Sequence, residues 1–262
     1  MDGGDGRSKT YWILTTPRSG SNFIAGEIRR RLGGLPLSGE FFNADIVRVQ
    51  AGFAADRHAP VRSYLDYLRS HYGIGGILGV KMIWRQVEEC CRYPDFLPAL
   101  AGGGIVFLRR RNVVRQGISH FIAARTKSWT SAKQPTLVHP ADLDYDRDAI
   151  AYSVDRMELH NALLQRFLLV HAFDHLPVWY EDFVADPDGE SERILAHLGL
   201  ERSAGPLSDI ELFRVQATDR NDEFYERFLE DERRALRGDG SYRGPPLFPE
   251  EPRGDTPAHA AP

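Results

Sequence analysis

A sharp change of pattern near the amino terminus limits the folds open to this chain. The apolar, β-prone run at residues 11–14 stops at a turn rich in serine and glycine, and a helical pattern begins at once at Phe23. A strand, a tight loop and a helix in this order can cradle a phosphate-like anion, because backbone N–H groups of the loop and of the helix amino terminus point at its oxygens. The sequence therefore predicts an anion-binding loop over residues 17–22.

The residue types in this loop also suit an anion. Gly20 lets the backbone approach closely, while Arg18 adds a forked cation and two serines add hydroxyl donors. The predicted ligand-binding residues are Pro17, Arg18, Ser19, Gly20, Ser21 and Asn22. The loop is not a nucleotidase P-loop, because that pattern of glycine, four residues and then Gly-Lys-Ser/Thr is absent from the sequence.

Apolar β-prone runs alternate with helical patterns along the rest of the chain. Beyond the first strand and helix, we predict strands at 77–82, 104–109 and 177–180, and helices at 60–72, 112–125, 146–172 and 190–198. Strands that alternate with helices indicate a parallel sheet covered on both faces. The predicted fold class is therefore α/β, with a central parallel sheet flanked by helices.

The composition of the 262-residue chain indicates its domain organisation, its partners and its cellular location. Its hydrophobic content of 42% is enough to fill the core of one domain, which we predict over residues 11–236. We expect a flexible N-terminal segment at 1–10 and a disordered Pro/Gly-rich tail at 237–262. The formal net charge of −4 favours neither a nucleic-acid partner nor a membrane surface. No apolar run reaches the roughly 18 residues of a membrane span, so no membrane insertion is expected. The polar first ten residues and the adjacent Cys90 and Cys91 predict a cytoplasmic protein.

A second candidate site follows the strand predicted at 104–109. Three arginines, among them Arg110 and Arg111, lie at its carboxyl end, and Asn112 can cap the next helix. Successive cations at a buried strand end are costly unless they meet an anion or water, and the helix turns its positive end towards the same crevice. Ser119 lies about two helical turns further on. These residues indicate either an anion site or a solvated basic helix start.

Several of these features together resemble a known family. The Pro-Arg-Ser-Gly-Ser loop followed by Glu40-Phe41-Phe42 is similar to the bacterial trehalose 2-sulfotransferase-like family. Those enzymes move a sulfuryl group from 3′-phosphoadenosine 5′-phosphosulfate to a hydroxyl. Five further segments match the family in order along the chain: residues 79–84, Arg111 with Gln116-Gly117-Ile118-Ser119, Thr126 with Trp129, residues 180–183 with Asp186-Pro187, and residues 216–224. In the last of them, Asn221 and Phe224 depart from the family's serine and tryptophan.

The resemblance implies a three-layer, P-loop-like fold and assigns roles to both basic segments. The loop would bind the 5′-phosphosulfate of the donor, and Arg18 would neutralise charge on its oxygens as the sulfuryl group passes. Arg111 and Ser119 would bind the 3′-phosphate, with Arg110 as the alternative if the register shifts by one. Arg220 would supply a further phosphate contact.

The resemblance also implies the groups around the acceptor. Glu40 would be the base that takes the proton of the acceptor hydroxyl, although this chain has Leu37 where many relatives carry a second glutamate. Trp84 and Trp129 could stack on a sugar or a phenolic ring, and Lys81 suits a ligand or a structural role equally. The expected acceptor is a hydroxyl of a carbohydrate or glycolipid, with a secondary metabolite as the second choice.

Two other functions stay open from the sequence. One is a P-loop-like phosphotransferase or kinase, and the other is a module that binds the nucleotide without turnover. The missing P-loop lysine weighs against the first, and the retention of Arg18 and Glu40 weighs against the second. No metal is expected, because His171 and His175 have no third ligand at suitable spacing. A homodimer is compatible with the resemblance.

Overall fold

Four strands form a parallel sheet in the computed structural model, which describes residues 9–33, 39–43, 60–73, 76–129, 138–203 and 219–236. The strands are β1 (Lys9–Thr15), β2 (Ile77–Ile83), β3 (Gly104–Arg109) and β4 (Leu176–Trp179). Their order in the sheet is β2-β1-β3-β4, and Gly39 extends one edge through a parallel bridge to Val80. The predicted central parallel sheet is confirmed, and each predicted strand lies within two residues of its expected ends.

Helices cover this sheet in the described part of the chain. They are α1 (Ser21–Arg31), α2 (Val61–Tyr72), α3 (Trp84–Cys90), α4 (Phe96–Ala101), α5 (Val113–Thr126), α6 (Arg147–Val170), α7 (Tyr180–Ala185), α8 (Pro187–Leu198) and α9 (Asp219–Leu236). The cap predicted at Asn112 is confirmed, because its side chain accepts a hydrogen bond from the N–H of Arg115 at 2.9 Å. Helices α3, α4, α7 and α9 are not among the predicted elements. The first three have only six or seven residues, too few to display a helical period.

Each face of the sheet packs against its own layer of helices. Because side chains alternate along a strand, Trp12 and Leu14 of β1 point to one face, while Tyr11 and Ile13 point to the other. The first face packs on α2, α3, α4 and α6, and the second face packs on α1, α7 and α8. These four side chains of β1 are at most 2% exposed. The fold is therefore the predicted three-layer α/β arrangement, with β1 at its centre.

The strand order creates a crevice at the carboxyl ends of β1 and β3. β1 leads into α1 on the second face, whereas β3 leads into α5, which packs closely on α6 of the first layer. At Gly117 of α5, any Cβ would lie 2.5 Å from Cγ2 of Val154 on α6, so this close approach requires glycine. Ligands of open parallel sheets bind where neighbouring connections leave to opposite faces. The loop after β1 and the arginines after β3 meet at that position.

Some predictions concern residues outside the described ranges, namely Leu37, the N-terminal segment at 1–8, residues 216–218 of the last family motif, and the tail at 237–262. The domain boundaries at residues 10 and 236 therefore stay predictions, although α9 ends at Leu236. Among the helices that the structure describes, none is both long enough and apolar enough to cross a membrane.

Candidate functional site

Buried hydrogen bonds fix the loop after β1 to the sheet. Thr15 Oγ1 lies 2.9 Å from the carbonyl oxygen of Leu108 on β3 and 2.6 Å from Ser19 Oγ. Since the carbonyl can only accept, Thr15 donates to it and accepts the proton of Ser19. The Ser19 side chain is fully buried, so the hydroxyl that was expected to meet the anion holds the loop to β1 instead. Ser19 can serve an anion through its backbone N–H.

Two residues with left-handed backbone shape the turn that precedes Ser21, the first residue of α1. Gly20 has a φ of 86°, and Arg18 has a φ of 61°, which is uncommon for a residue with a side chain. The ring of Tyr180 lies so close to Gly20 that a Cβ there would be 2.2 Å from Tyr180 Cδ2. The turn therefore requires glycine both for its conformation and for its packing.

A Gly20→Ala variant is expected to lose about 1–3 kcal/mol of unfolding free energy, because alanine disfavours a positive φ and its Cβ would displace Tyr180. The matched control is Gly102→Ala, where φ is −78° and a Cβ would meet the Pro98 carbonyl oxygen at 3.5 Å, an ordinary contact. That control should stay within about 0.5 kcal/mol of the wild type. Urea unfolding measures both. Equal stability of the two variants would show that Tyr180 is not held against the loop.

Gln116 ties helix α5 to the loop. Its side-chain amide donates to the carbonyl oxygen of Pro17 at 2.6 Å and to Thr16 Oγ1 at 2.8 Å, and Thr16 donates to Asn161 of α6 at 3.3 Å. Gln116 and Thr16 are fully buried, so these bonds hold the loop, α5 and α6 in one arrangement. The sequence matches Gln116 to a family motif but assigns it no role, because a contact between distant segments leaves no local pattern.

The side chain of Arg18 lies against α5. Its Nε donates to Ser119 Oγ at 3.0 Å, and its Nη1 donates to the carbonyl oxygen of Trp129 at 2.8 Å. Burial and the nearby positive charge of Arg110 lower the pKa of Arg18 below its usual value. These surroundings disfavour the cation, and an anion in the crevice would relieve that cost. The structure thus brings together three residues, Arg18, Ser119 and Trp129, that the sequence assigns to the site.

The two candidate arginines after β3 have different partners. Arg111 is exposed and forms a two-pronged pair with Asp182, with N···O distances of 2.5 and 2.7 Å. Arg110 is half-buried over the ring of Tyr180, and its Nη1 lies 3.5 Å from the carbonyl oxygen of Arg18. Burial lowers the pKa of Arg110, whereas the hydrogen bonds to Asp182 raise the pKa of Arg111. Arg110 therefore carries the less compensated charge and faces the loop.

Glu181 holds the backbone at the start of α5. Its carboxylate accepts the N–H of Arg111 at 3.0 Å and the N–H of Asn112 at 3.3 Å, and it lies 3.8 Å from Nε of Arg110. A carboxylate at the amino terminus of a helix stabilises that terminus. In the sequence, Glu181 and Asp182 directly follow an apolar strand, as the arginines do. The pairing of β3 with β4 in the sheet places the two strand ends side by side, and the sequence alone does not show this pairing.

Lys81 holds Glu40 beside the loop. The N–H of Lys81 donates to the carbonyl oxygen of Gly39 at 3.0 Å, which places Glu40 near the carboxyl end of β2. Lys81 is 4% exposed, and its ammonium lies 3.1 Å from Glu40 Oε1 and also donates to Asn22 of α1. The two phenylalanines after Glu40 are buried in the core of the first face. Lys81 therefore links the predicted base to the helix that follows the anion loop.

Arg220 and Trp84, also predicted as site residues, are engaged by other partners. Arg220 on α9 donates to the carbonyl oxygen of Leu143 and forms a hydrogen bond of 2.7 Å with Glu223. Trp84 packs with its ring centre 6.2 Å from that of Phe167, beside the core of the first face. Both side chains thus have structural contacts, and their predicted roles towards ligands stay predictions.

A cleft of about 510 Å³ opens at the carboxyl ends of β3 and β4. Its lining holds three arginines against one carboxylate, together with Asn161 and Trp179; the charged residues are Arg109, Arg110, Arg111 and Glu158. Within the described ranges, no three His, Cys, Asp or Glu side chains are grouped so that they could hold a metal ion. The site is thus a positively charged crevice that suits a phosphorylated ligand, with the carboxylate of Glu40 near the same loop.

Comparison with known proteins points to one family. The profile of the Stf0 sulphotransferase family matches residues 10–231. The chain is also 23% identical over 194 residues to the trehalose 2-sulfotransferase of Mycolicibacterium smegmatis, a match that covers 67% of this chain and 70% of that protein. The family match favours sulfuryl transfer over the phosphotransferase and the non-catalytic module that the sequence left open.

Two solved structures are similar over most of their length. The sulfotransferase domain of the Synechococcus PCC 7002 olefin synthase has a TM-score of 0.45 and 15% identity, covering 87% of this chain and 98% of that domain. A sulfotransferase from Alicyclobacillus acidocaldarius has a TM-score of 0.44 and 17% identity, covering 86% of this chain and 93% of that protein. On the match over residues 10–231, the chain belongs to the Stf0 sulphotransferase family and is a sulfotransferase.

Proposed function

We propose that this sulfotransferase moves the sulfuryl group of 3′-phosphoadenosine 5′-phosphosulfate to a hydroxyl of a carbohydrate or glycolipid. The observation that supports the donor is the pair of half-buried cations at the loop, where burial and the positive charge of Arg110 lower the pKa of Arg18. Arg110 Nη1 also reaches the loop backbone, 3.5 Å from the carbonyl oxygen of Arg18. Like charges in a half-buried site disfavour one another, and a donor with several anionic groups would compensate both. The trehalose 2-sulfotransferase among the relatives supports a sugar acceptor.

The phosphosulfate would lie on the loop at residues 17–22, against the amino terminus of α1. Its oxygens would accept backbone N–H groups there, where the helix dipole favours negative charge. Arg18 would lie beside the oxygen that bridges phosphorus and sulfur and would neutralise the charge that grows on it. Because a sulfonate carries less charge than a phosphoryl group, we propose that transfer needs no metal.

Glu40 would act as the general base. Its carboxylate takes the proton of the acceptor hydroxyl while the hydroxyl oxygen forms a bond to sulfur. The bond from sulfur to the 5′-phosphate oxygen breaks in line, and adenosine 3′,5′-bisphosphate leaves with that electron pair. Lys81 keeps the Glu40 carboxylate in place through its 3.1 Å contact, and it acts as a positioning residue.

The 3′-phosphate would bind Arg110 and Ser119. This favours the alternative register that the sequence left open, because Arg111 is already paired with Asp182 through two hydrogen bonds. Arg111 would instead help to hold the end of β3 against the end of β4. Ser119 on α5 also accepts a hydrogen bond from Arg18. The residue at the 3′-phosphate would therefore contact the residue at the phosphosulfate.

Titration calorimetry with adenosine 3′,5′-bisphosphate and 5′-AMP tests this donor site. The wild-type protein should prefer the bisphosphate by at least about tenfold, since a hydrogen bond to a charged group contributes roughly 1.5–3 kcal/mol. Arg110→Ala should remove most of this preference and leave the affinity for AMP nearly unchanged. Arg111→Ala is the matched control and should keep the preference.

If Arg111→Ala lost the preference and Arg110→Ala kept it, the 3′-phosphate would belong on Arg111. Equal affinity of the wild type for the two nucleotides would contradict the donor site itself. The acceptor is tested separately, by transfer of radiolabelled sulfate from the donor to a panel of sugars and glycolipids. Labelling of phenolic metabolites alone would exclude the carbohydrate acceptor.

Trp129 is the better placed of the two predicted stacking residues. Trp129 is 42% exposed, and its carbonyl oxygen accepts a hydrogen bond from Arg18. We propose that it stacks on the acceptor, whereas the packing of Trp84 on Phe167 supports a structural role.

We also propose a cytoplasmic location and one catalytic domain over residues 11–236. The homodimer that is compatible with the family resemblance stays a prediction.

A further inference from the structure

A second group of basic side chains lies beside the crevice, and the reaction proposed above does not use it. It consists of His120 on α5, Arg156 and His160 on α6, and Arg85 on α3. We call these four residues the His–Arg cluster. Arg156 and both histidines are half-buried, and Arg85 is exposed.

Two contacts of α6 show which face of the helix carries the cluster. Ser153 lies 3.4 Å from Nδ1 of His120, and Asn161, about two turns later, accepts the hydrogen bond from the anion loop. Arg156 and His160 lie between these contacts at spacings of three and seven residues from Ser153, which places them on the same side of the helix. The cluster therefore faces α5 and the loop.

Within the described ranges, the His–Arg cluster has no carboxylate at ion-pair distance, although Asp155 and Glu158 lie on the same helix. Neither Arg85 nor Arg156 forms an ion pair with a carboxylate in those ranges. Arg147 on the same helix provides the contrast, because its guanidinium lies 2.6 Å from a carboxylate oxygen of Glu232. A half-buried guanidinium without a counter-ion is costly unless a ligand supplies one.

Burial and the nearby positive charges both disfavour the protonated form of the two histidines. Burial and the charges of Arg156 and Arg18 lower the pKa of His120 to about 4. Burial and the charges of Arg156 and Arg85 lower the pKa of His160 to about 4, with a smaller effect of His120. Nδ1 of His160 is also buried without a hydrogen-bond partner. Both imidazoles are thus neutral at pH 7, and one has an unused polar atom.

The cluster borders the reacting centre. Arg18 reaches Ser119, the neighbour of His120, and the backbone of Trp129. The ring centres of His120 and Trp129 are 5.6 Å apart. A molecule stacked on the exposed Trp129 ring would therefore have the imidazole of His120 beside it and the rest of the cluster further along α6.

We infer that the His–Arg cluster binds an oxyanion carried by the acceptor, so that the acceptor is an acidic molecule with a carboxylate, sulfate or phosphate ester near the hydroxyl that is sulfated. This inference rests on the proposed function for the position of the reacting centre. The Arg156 guanidinium can hold such a group with two parallel hydrogen bonds. An N–H at His160 Nδ1 would add a donor. The donor molecule itself would occupy the loop and Arg110.

The first experiment asks whether the anion site exists. Sulfate is titrated into protein saturated with adenosine 3′,5′-bisphosphate, at an ionic strength matched with chloride. The ring signals of His120 and His160 are followed by NMR and assigned with His→Gln variants. A bound anion favours the protonated imidazole, so both pKa values should rise by at least about one pH unit. Arg156→Gln should abolish this rise, and the exposed Arg166→Gln on the same helix should not.

The second experiment asks whether the acceptor carries the anion. The probes are 4-nitrophenyl β-D-glucuronide and 4-nitrophenyl β-D-glucoside, which differ only in a carboxylate or a hydroxymethyl group. The glucuronide should bind the bisphosphate-saturated protein at least about tenfold more tightly, and Arg156→Gln should reduce the difference to less than about twofold. Arg166→Gln should leave it unchanged.

Histidine titrations that sulfate does not move would overturn the anion site. Equal or undetectable binding of the two probes would overturn its assignment to the acceptor. Failure of the donor site would be recognised separately, because the protein would then take up no bisphosphate in the saturation step. In that case the same sulfate titration is run on the free protein and still decides whether the His–Arg cluster binds an anion.

Discussion

A Glu40→Gln variant is expected to bind the nucleotide as tightly as the wild-type protein and to transfer sulfate about 100- to 10,000-fold more slowly. Glutamine keeps the shape of the side chain and an oxygen that can accept from the ammonium of Lys81, which lies 3.1 Å from Glu40 Oε1. It cannot accept the proton of the acceptor hydroxyl. Calorimetry with adenosine 3′,5′-bisphosphate and single-turnover transfer of labelled sulfate measure the two quantities separately.

The control for this experiment is Glu88→Gln, at an exposed position on α3, which should leave turnover unchanged. If Lys81 acts only through Glu40, the double variant Glu40→Gln/Lys81→Met should turn over nearly as fast as Glu40→Gln alone. Wild-type turnover of Glu40→Gln on its true acceptor would remove Glu40 from the mechanism. Unchanged turnover with weaker acceptor binding would make Glu40 a substrate clamp.

An Arg18→Met variant is expected to slow transfer about 100- to 1,000-fold, as the loss of one group that stabilises charge in the transition state does in other enzymes. The free protein should nevertheless be at least as stable to heat as the wild type. Arg18 is a half-buried cation whose charge is disfavoured by burial and by Arg110, and methionine removes the charge while it keeps a similar length. Thermal unfolding with and without adenosine 3′,5′-bisphosphate checks both effects.

The wild-type protein should gain thermal stability from the bisphosphate, because the ligand binds the folded state alone. Arg18→Met should lose most of this gain. The exposed Arg166→Met on α6 controls for the loss of one positive charge and should keep it. An Arg18→Met protein that is stabilised by the nucleotide as strongly as the wild type would leave Arg18 with only a structural role.

Local sequence determined the parts of this protein that depend on neighbouring residues. The strands β1, β2 and β3 follow from apolar runs, and α5 begins where Asn112 caps it. The anion loop was predictable for the same reason, since strand, turn and helix adjoin in the chain. α9 was not predicted, although it carries a local signal, because the buried Phe224 and Phe228 are spaced by one helical turn. Such features need no knowledge of distant segments.

The partners of the site residues were decided by the tertiary structure. Ser19 turns inwards because Thr15 is fixed by Leu108 of the adjacent strand. Arg110 and Arg111 are neighbours in the chain, and they differ because Asp182, in the helix α7 that follows β4, pairs with only one of them.

Glu40 and the His–Arg cluster depend on the tertiary structure in the same way. Glu40 reaches the loop because Gly39 pairs with Val80 and brings Lys81 beside it. The His–Arg cluster joins three helices whose order in space is not written in any one segment. Side-chain charge and hydrogen-bonding capacity are properties of single residues, but the groups that compensate them come from strands and helices far apart in the chain, and only the packed fold selects those groups.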